Sequence, residues 1–232
     1  MSDYITIQNA VKARLVDAAT AVQNEVPYFV NWALRRIQNE HNFRVMRTLL
    51  EATTQASTRV LTTKPTLWKA VRGRPYYVED AGDGKHMFSF TANREQVQKA
   101  INEDDTGLPQ VLLLGEEDDT GAANIEVWPL SDGNSDYSGG QYRIKLPYWR
   151  FIADLSDNDD TNWFVENGEE YLRAMATSKA FATEYNEEKA LYWEAKAMEE
   201  QAILIRTDKK MQAMTQETMQ VYTGPMDPQI GF

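Results

Sequence analysis

Apolar residues recur along the chain with two different periods, and the change of period divides it. Ile7, Val11, Ala18 and Val22 fall on one side of a helix whose other side carries Lys12, Arg14 and Asp17, with Thr6 placed to cap it. Pro27 stands at the first turn of a second helix, where a missing N–H has no intrahelical acceptor to lose. Val30, Leu34, Ile37 and His41 line that helix, and Arg35 and Arg36 face away. Residues 51–63 are rich in Thr, Ser and Val, which favour extended backbone.

From 59 to 152 short apolar runs alternate with turn residues. Asp83-Gly84 and Asp132-Gly133 are hairpin dipeptides, and Met87, Phe88 and Phe90 follow the first as a strand would. Residues 94–102 interrupt as a helix, with Val97 and Ile101 one turn apart. A run from Val111 to Leu114 follows, then Ile125, Val127 and Leu130 near Pro129. Tyr142, Ile144 and Leu146 form a last strand, opposite Arg143 and Lys145 and ending at Pro147. The pattern predicts a small meander-like sheet inserted between helices.

The 3.6-residue period returns after a polar link at 154–160, with Thr161 or Asn162 as the helix cap. Tyr171, Met175, Ser178, Ala182 and Tyr185 are spaced four and three apart, and so are Leu191, Ala195, Met198, Ala202 and Ile205, the a/d seams of helices that pack lengthwise, expected in the core. Weak helix formers at 183–186 separate the two seams, which predicts either two helices or one kinked helix. Beyond Lys210 the period fades, and MQVYTGPMDPQIGF holds two Pro and two Gly among isolated apolar residues, the pattern of an arm. The expected fold class is α+β. Residues 1–58 form the N-terminal helices of a bundle, 59–152 an antiparallel β-rich insertion, 153–211 the long closing helices and 212–232 an extended arm.

Composition narrows the chemistry. With no cysteine among 232 residues, disulfides, thiolate metal sites and a Cys nucleophile are excluded. No apolar run approaches a membrane span, and the opening MSDYITIQN has no charged or apolar leader region, so neither signal peptide nor anchor is expected. The net charge of −11 is uneven. Residues 1–76 carry eleven Lys and Arg against five Asp and Glu, about +6, which leaves about −17 for the rest. Such a division suits unlike faces that stack between copies or partners.

The candidate motifs are weak as chemistry. Asp132, Asn134 and Asp136 have the spacing of a calcium loop, but Tyr137 stands where glycine is needed and Arg143 where a bidentate Glu is needed, so a solvated hairpin tip is expected. Asp154, Asp157, Asp159 and Asp160 lack the same two elements. The two histidines, His41 and His86, begin no metal-binding pattern, and His41 is expected as a hydrogen-bonded core residue. No phosphate-binding glycine loop or serine nucleophile elbow is present. Arg72, Arg74, Tyr76 and Tyr77 interleave charge and aromatic rings as a single-strand platform does. With Gly73 and Pro75 between them, they read better as a protected edge strand or a subunit contact.

The order of these pieces resembles the head-to-tail adaptor proteins of tailed bacteriophages, the connector or neck proteins of the tail tubular protein A type. The resemblance is carried by YITIQNAVKARL with VNWALRRIQNEHNFRVM, by LPQVLLLGEEDDTGAANIEVWPLSDGNSDYSGGQYRIKLPYW, by LSDNDDTNWFVENGEEYLRAMATSKAF and by the closing helix with its arm. Within these, Val127-Trp128-Pro129, Pro147-Tyr148-Trp149, Leu155-Ser156-Asp157 and Thr161-Asn162 stand where the family has comparable words. Where members often carry Pro-Asp, this chain has Asn167, Gly168 and Glu169, so the start of that helix is expected to be capped differently.

The resemblance implies a non-enzymatic structural protein of the virion neck, made in the host cytoplasm and needing no cofactor or metal. It implies a homo-oligomeric ring, commonly a dodecamer, that joins the portal protein to tail nozzle or tail-tube proteins and gives double-stranded DNA a channel during ejection, without specific binding and without a membrane. The arm residues Tyr222, Pro225, Met226, Ile230 and Phe232 are the expected portal or neighbouring-subunit contacts. Each large apolar side chain among them contributes about 1.5–3 kcal/mol if fully buried. Two other classes compete with this reading. A peptidoglycan hydrolase acting at entry through paired carboxylates needs one carboxyl with a raised pKa. A DNA-binding module needs a basic face, against which the acidic rear half argues.

Overall fold

In a computed structural model of the protein the described residues are 3–16, 18–54, 58–61, 65–78, 85–117, 123–131 and 142–220. Three helices come first, α1 (Tyr4–Arg14), α2 (Thr20–Asn24) and α3 (Val26–Glu40). Strands β1 (Arg47–Thr53), β2 (Trp68–Val71), β3 (Tyr76–Val78), β4 (Lys85–Met87) and β5 (Ser89–Thr91) follow, then helix α4 (Arg94–Ala100). Next are β6 (Thr106–Gly107), β7 (Val111–Glu117), β8 (Ala123–Trp128), β9 (Leu130–Ser131) and β10 (Arg143–Arg150). Helices α5 (Trp163–Asn167), α6 (Glu169–Thr183) and α7 (Glu187–Gln220) close the chain. The class is α+β, and the chain divides into a helical unit, Met1–Val45 with Asp154–Phe232, and a sheet unit, Met46–Ala153.

In the helical unit, Asp3 rather than Thr6 caps α1. Its carboxylate accepts from the Thr6 amide at 2.9 Å, and Thr6 adds its hydroxyl to the same oxygen. The single first helix expected through Val22 is broken at Leu15, whose side chain is buried. Gln23 makes the break stable by donating to the freed carbonyls of Leu15 at 2.9 Å and Ala18 at 3.2 Å. Pro27 lies in the first turn of α3, and Val30, Leu34 and Ile37 are buried. Tyr4 is buried as well, its hydroxyl donating to the Pro27 carbonyl at 2.9 Å, and burial pushes its pKa up to about 12.

The acidic link before α5 does structural work. The Asp160 carboxylate accepts from the amides of Ser156 at 2.6 Å and Asp157 at 2.8 Å. The backbone carbonyls of Asp160 and Asn158 then accept from Tyr4 and Ile5, the first orphan amides of α1. Asp154 is held by Arg35 through two bonds of 2.9 Å. Asn162 caps α5, accepting from Phe164 and Val165. Gly168, with no side chain to cap, opens α6.

The sheet unit departs from a meander. The order is β1-β10-β3-β4 with β2 also on β10, all antiparallel, so the first strand pairs with the last. Two further pairings, β5 with β7 and β6 with β9, are parallel, and the insertion is therefore mixed rather than purely antiparallel. Extended structure starts at Arg47, inside the stretch expected to be helical. Strand β10 runs through Pro147 to Arg150, because Pro147 falls where its partner changes from β3 to β2. Ile144, Leu146 and Tyr148 point into a core with Leu50, Leu112 and Val127.

Candidate interaction surface

The antiparallel hairpin of α6 and α7 is built for close approach. Ala190 and Ala197 are buried, and the Ser178 hydroxyl donates to the Ala190 carbonyl at 2.8 Å. Further along, Gln201 donates to Glu40 at 2.5 Å. Asp208, 1 % exposed, accepts from the Arg44 amide at 3.0 Å and lies 3.6 Å from His41. The buried face of α7 is thus Ala190, Ala197, Gln201, Leu204 and Asp208.

This corrects the expected seam. Leu191 is 65 % exposed and Met198 43 %, Ala195 and Ala202 are exposed, and Ile205 is half-buried. The apolar stripe lies one position C-terminal to the face that packs. Small and polar residues occupy the packed face, so hydropathy alone selects the other one. On α6, Tyr171, Met175 and Ser178 are buried as expected, while Ala182 is exposed, as is Tyr185 in the turn that follows.

Where the stripe meets the α6–α7 turn there is a groove of about 440 Å³ lined by Trp32, Lys179, Tyr185, Leu191 and their neighbours. The turn fixes its rim. Tyr185 adopts φ +58°, a left-handed value rare outside glycine, with its side chain 93 % exposed. Asn186 follows as the cap of α7, accepting from the Lys189 amide at 3.2 Å. Arg36 closes the floor, donating to Glu194 at 2.8 Å and Glu40 at 3.1 Å. Burial works to lower the Arg36 pKa, but these two carboxylates outweigh it and the net shift is upward. The Trp32 ring lies under two cations, Arg36 at 5.5 Å and Lys179 at 5.2 Å. Lys179 has no carboxylate partner among the described residues.

A second groove, about 790 Å³, lies in the sheet unit between Arg74, Met87, Phe90 and Leu108. It overlaps the Arg72–Tyr77 stretch, where the expected edge strand fails. Strand β3 is not an edge, since β10 and β4 flank it. Tyr77 is no stacking platform either, for its ring is buried against Phe88 and Tyr142 at 5.4 Å. Only Arg72 and Arg74 of the four are exposed.

The other sequence candidates are distributed as follows. Tyr222, Pro225, Met226, Ile230 and Phe232 lie outside the described residues, as do Asp132, Asn134 and Asp136. Helix α7 continues through Gln220, so the start of the stretch expected as an arm at 212 is helical. Asp160 and Glu51 are both held below their ordinary values, Asp160 by the backbone amides of Ser156 and Asp157 and Glu51 by Arg143 and Lys145. Among the described residues no group of three or more His, Asp or Glu is placed to hold a metal ion. No helix among them is long and apolar enough to cross a membrane.

The family model described as SU10 adaptor protein aligns with residues 2–228, nearly the whole chain. No curated protein matches it. The chain therefore belongs to the SU10 adaptor protein family, a family of phage structural adaptors.

Proposed function

We propose that the protein assembles as a ring of identical copies, a dodecamer of the tail tubular protein A type, that joins the portal to the tail in the virion neck and encloses a channel for DNA. The observation that carries this reading is the stripe of Leu191, Ala195, Met198 and Ala202 turned to solvent along α7. A sustained apolar seam at helical spacing that the described residues of its own chain leave uncovered is what a neighbouring copy covers. In a ring each contact is heterologous, one face meeting a different face of the next copy, so the uneven division of charge along the chain helps it close.

The net charge of −11 supports the channel. Carboxylates within a Debye length of about 8–10 Å repel DNA phosphates, which favours passage over retention. The portal lies on one side and nozzle or tail-tube proteins on the other. Negative-stain microscopy of the protein with its portal should show a ring of about a dozen copies, the closed cyclic form expected of heterologous contacts. A chain that stays monomeric and never joins the portal would sink the proposal.

A further inference from the structure

The groove beside the α6–α7 turn has an occupant encoded in the same chain. We propose that it receives residues 221–232 of the adjacent copy, an inference that rests on the ring reading above. Its lining includes Tyr185 and Leu191, 93 % and 65 % exposed, and the Trp32 ring. An aromatic-lined groove of this kind takes a proline-containing segment, with apolar side chains seated on either side. Residues 221–232, VYTGPMDPQIGF, supply Pro225 and Pro228 with Tyr222, Met226, Ile230 and Phe232. Asp227 is the segment's one charged side chain, and it complements Lys179, the groove cation that has no carboxylate partner among the described residues.

Length decides between this chain and its neighbour. The groove lies at the N-terminal end of α7, at Leu191 and Glu194, and the segment leaves the far end at Gln220. At 1.5 Å per residue the helix from Glu194 to Gln220 is about 39 Å long. Fully extended chain covers at most ~3.6 Å per residue, so Met226 reaches about 22 Å from Gln220 and Ile230 about 36 Å. Leu191 stands about 44 Å from Gln220 along the helix, so neither reaches the Leu191 side of the groove in its own chain. A copy displaced around a ring has no such limit. The strained exposed tyrosine then has a role, since backbone held in a rare region persists where it positions a contact.

The chain has no cysteine, which makes the test direct. Full-length Leu191→Cys and Ile230→Cys chains are mixed, assembled with the portal, imaged and oxidised. The inference expects a disulfide between the two kinds of chain, about tenfold above an Ile230→Cys and Val16→Cys control pair, because docking raises the local concentration of the two thiols. It also expects Lys179→Glu to lower the yield and Lys179→Glu with Asp227→Lys to restore it. Rings that form with no excess over control, or with a bond only within one chain of the double-cysteine variant, overturn the groove assignment and leave the ring standing. Unrestored yield in the charge swap, or capture of the Ile230→Cys arm by the portal instead, overturns it as well. No ring under any condition overturns both.

Discussion

The turn between α6 and α7 holds an L-residue, Tyr185, at φ +58° with its ring in solvent, a conformation that costs about 1–2 kcal/mol relative to glycine. Tyr185→Gly should therefore leave the isolated chain as stable or up to about 1 kcal/mol more stable in urea titrations, once the entropy of glycine is set against the relief. The same change should weaken assembly. Gly168 shows the opposite constraint. A Cβ there would stand 3.0 Å from Leu204 Cδ2 and 3.1 Å from the Phe164 carbonyl, so Gly168→Ala should cost about 1–3 kcal/mol, read as a lower denaturation midpoint. Asp160 gives a pH signature. Its folded-state value lies below the ordinary 3.8, so its contribution is full above that pH and is lost as the pH falls through the lowered value. Asp160→Asn should melt lower than wild type near neutrality and show a shallower fall in melting temperature as the pH drops below the ordinary carboxylate range. Local chemistry made Asn162 legible from the sequence as one of two candidate caps, beside Thr161. Asp3 was obscured because Thr6, the better-looking cap, is its hydrogen-bond donor.

At the level of elements, helix α7 carries the main lesson. Its period of three and four was plain in the sequence, but the packed side is marked by Ala190, Ala197, Gln201 and Asp208, small or polar residues whose burial depends on partners elsewhere in the helical unit. Periodicity finds stripes and does not tell which neighbour covers them. Leu191→Glu with Met198→Glu should change the unfolding free energy of the isolated chain by less than about 0.5 kcal/mol per site, as surface substitutions do, while sedimentation shows the ring lost. A large loss of stability instead would place the stripe in this chain's own core. The break between α1 and α2 was hidden for a related reason, because Gln23 satisfies the freed carbonyls through a side chain that carries no period.

For the whole molecule, the alternation of helices, strands and helices was visible in the change of period, and the α+β class followed from it. Strand order was not, because pairing between β1 and β10 joins segments separated by the entire insertion, and turn dipeptides report only on their neighbours. That pairing has a consequence for how such a protein can be altered. Arg47 and Trp149 lie opposite one another, so the chain goes out into the sheet unit and comes back at points about 5 Å apart. The insertion is thus a cassette, closed on itself at its neck. Replacing 47–149 with a short Gly-Ser linker should leave a shorter protein with a helical circular-dichroism spectrum and a cooperative melt. A different β module grafted at the same two residues would then carry a new surface on an unchanged helical frame.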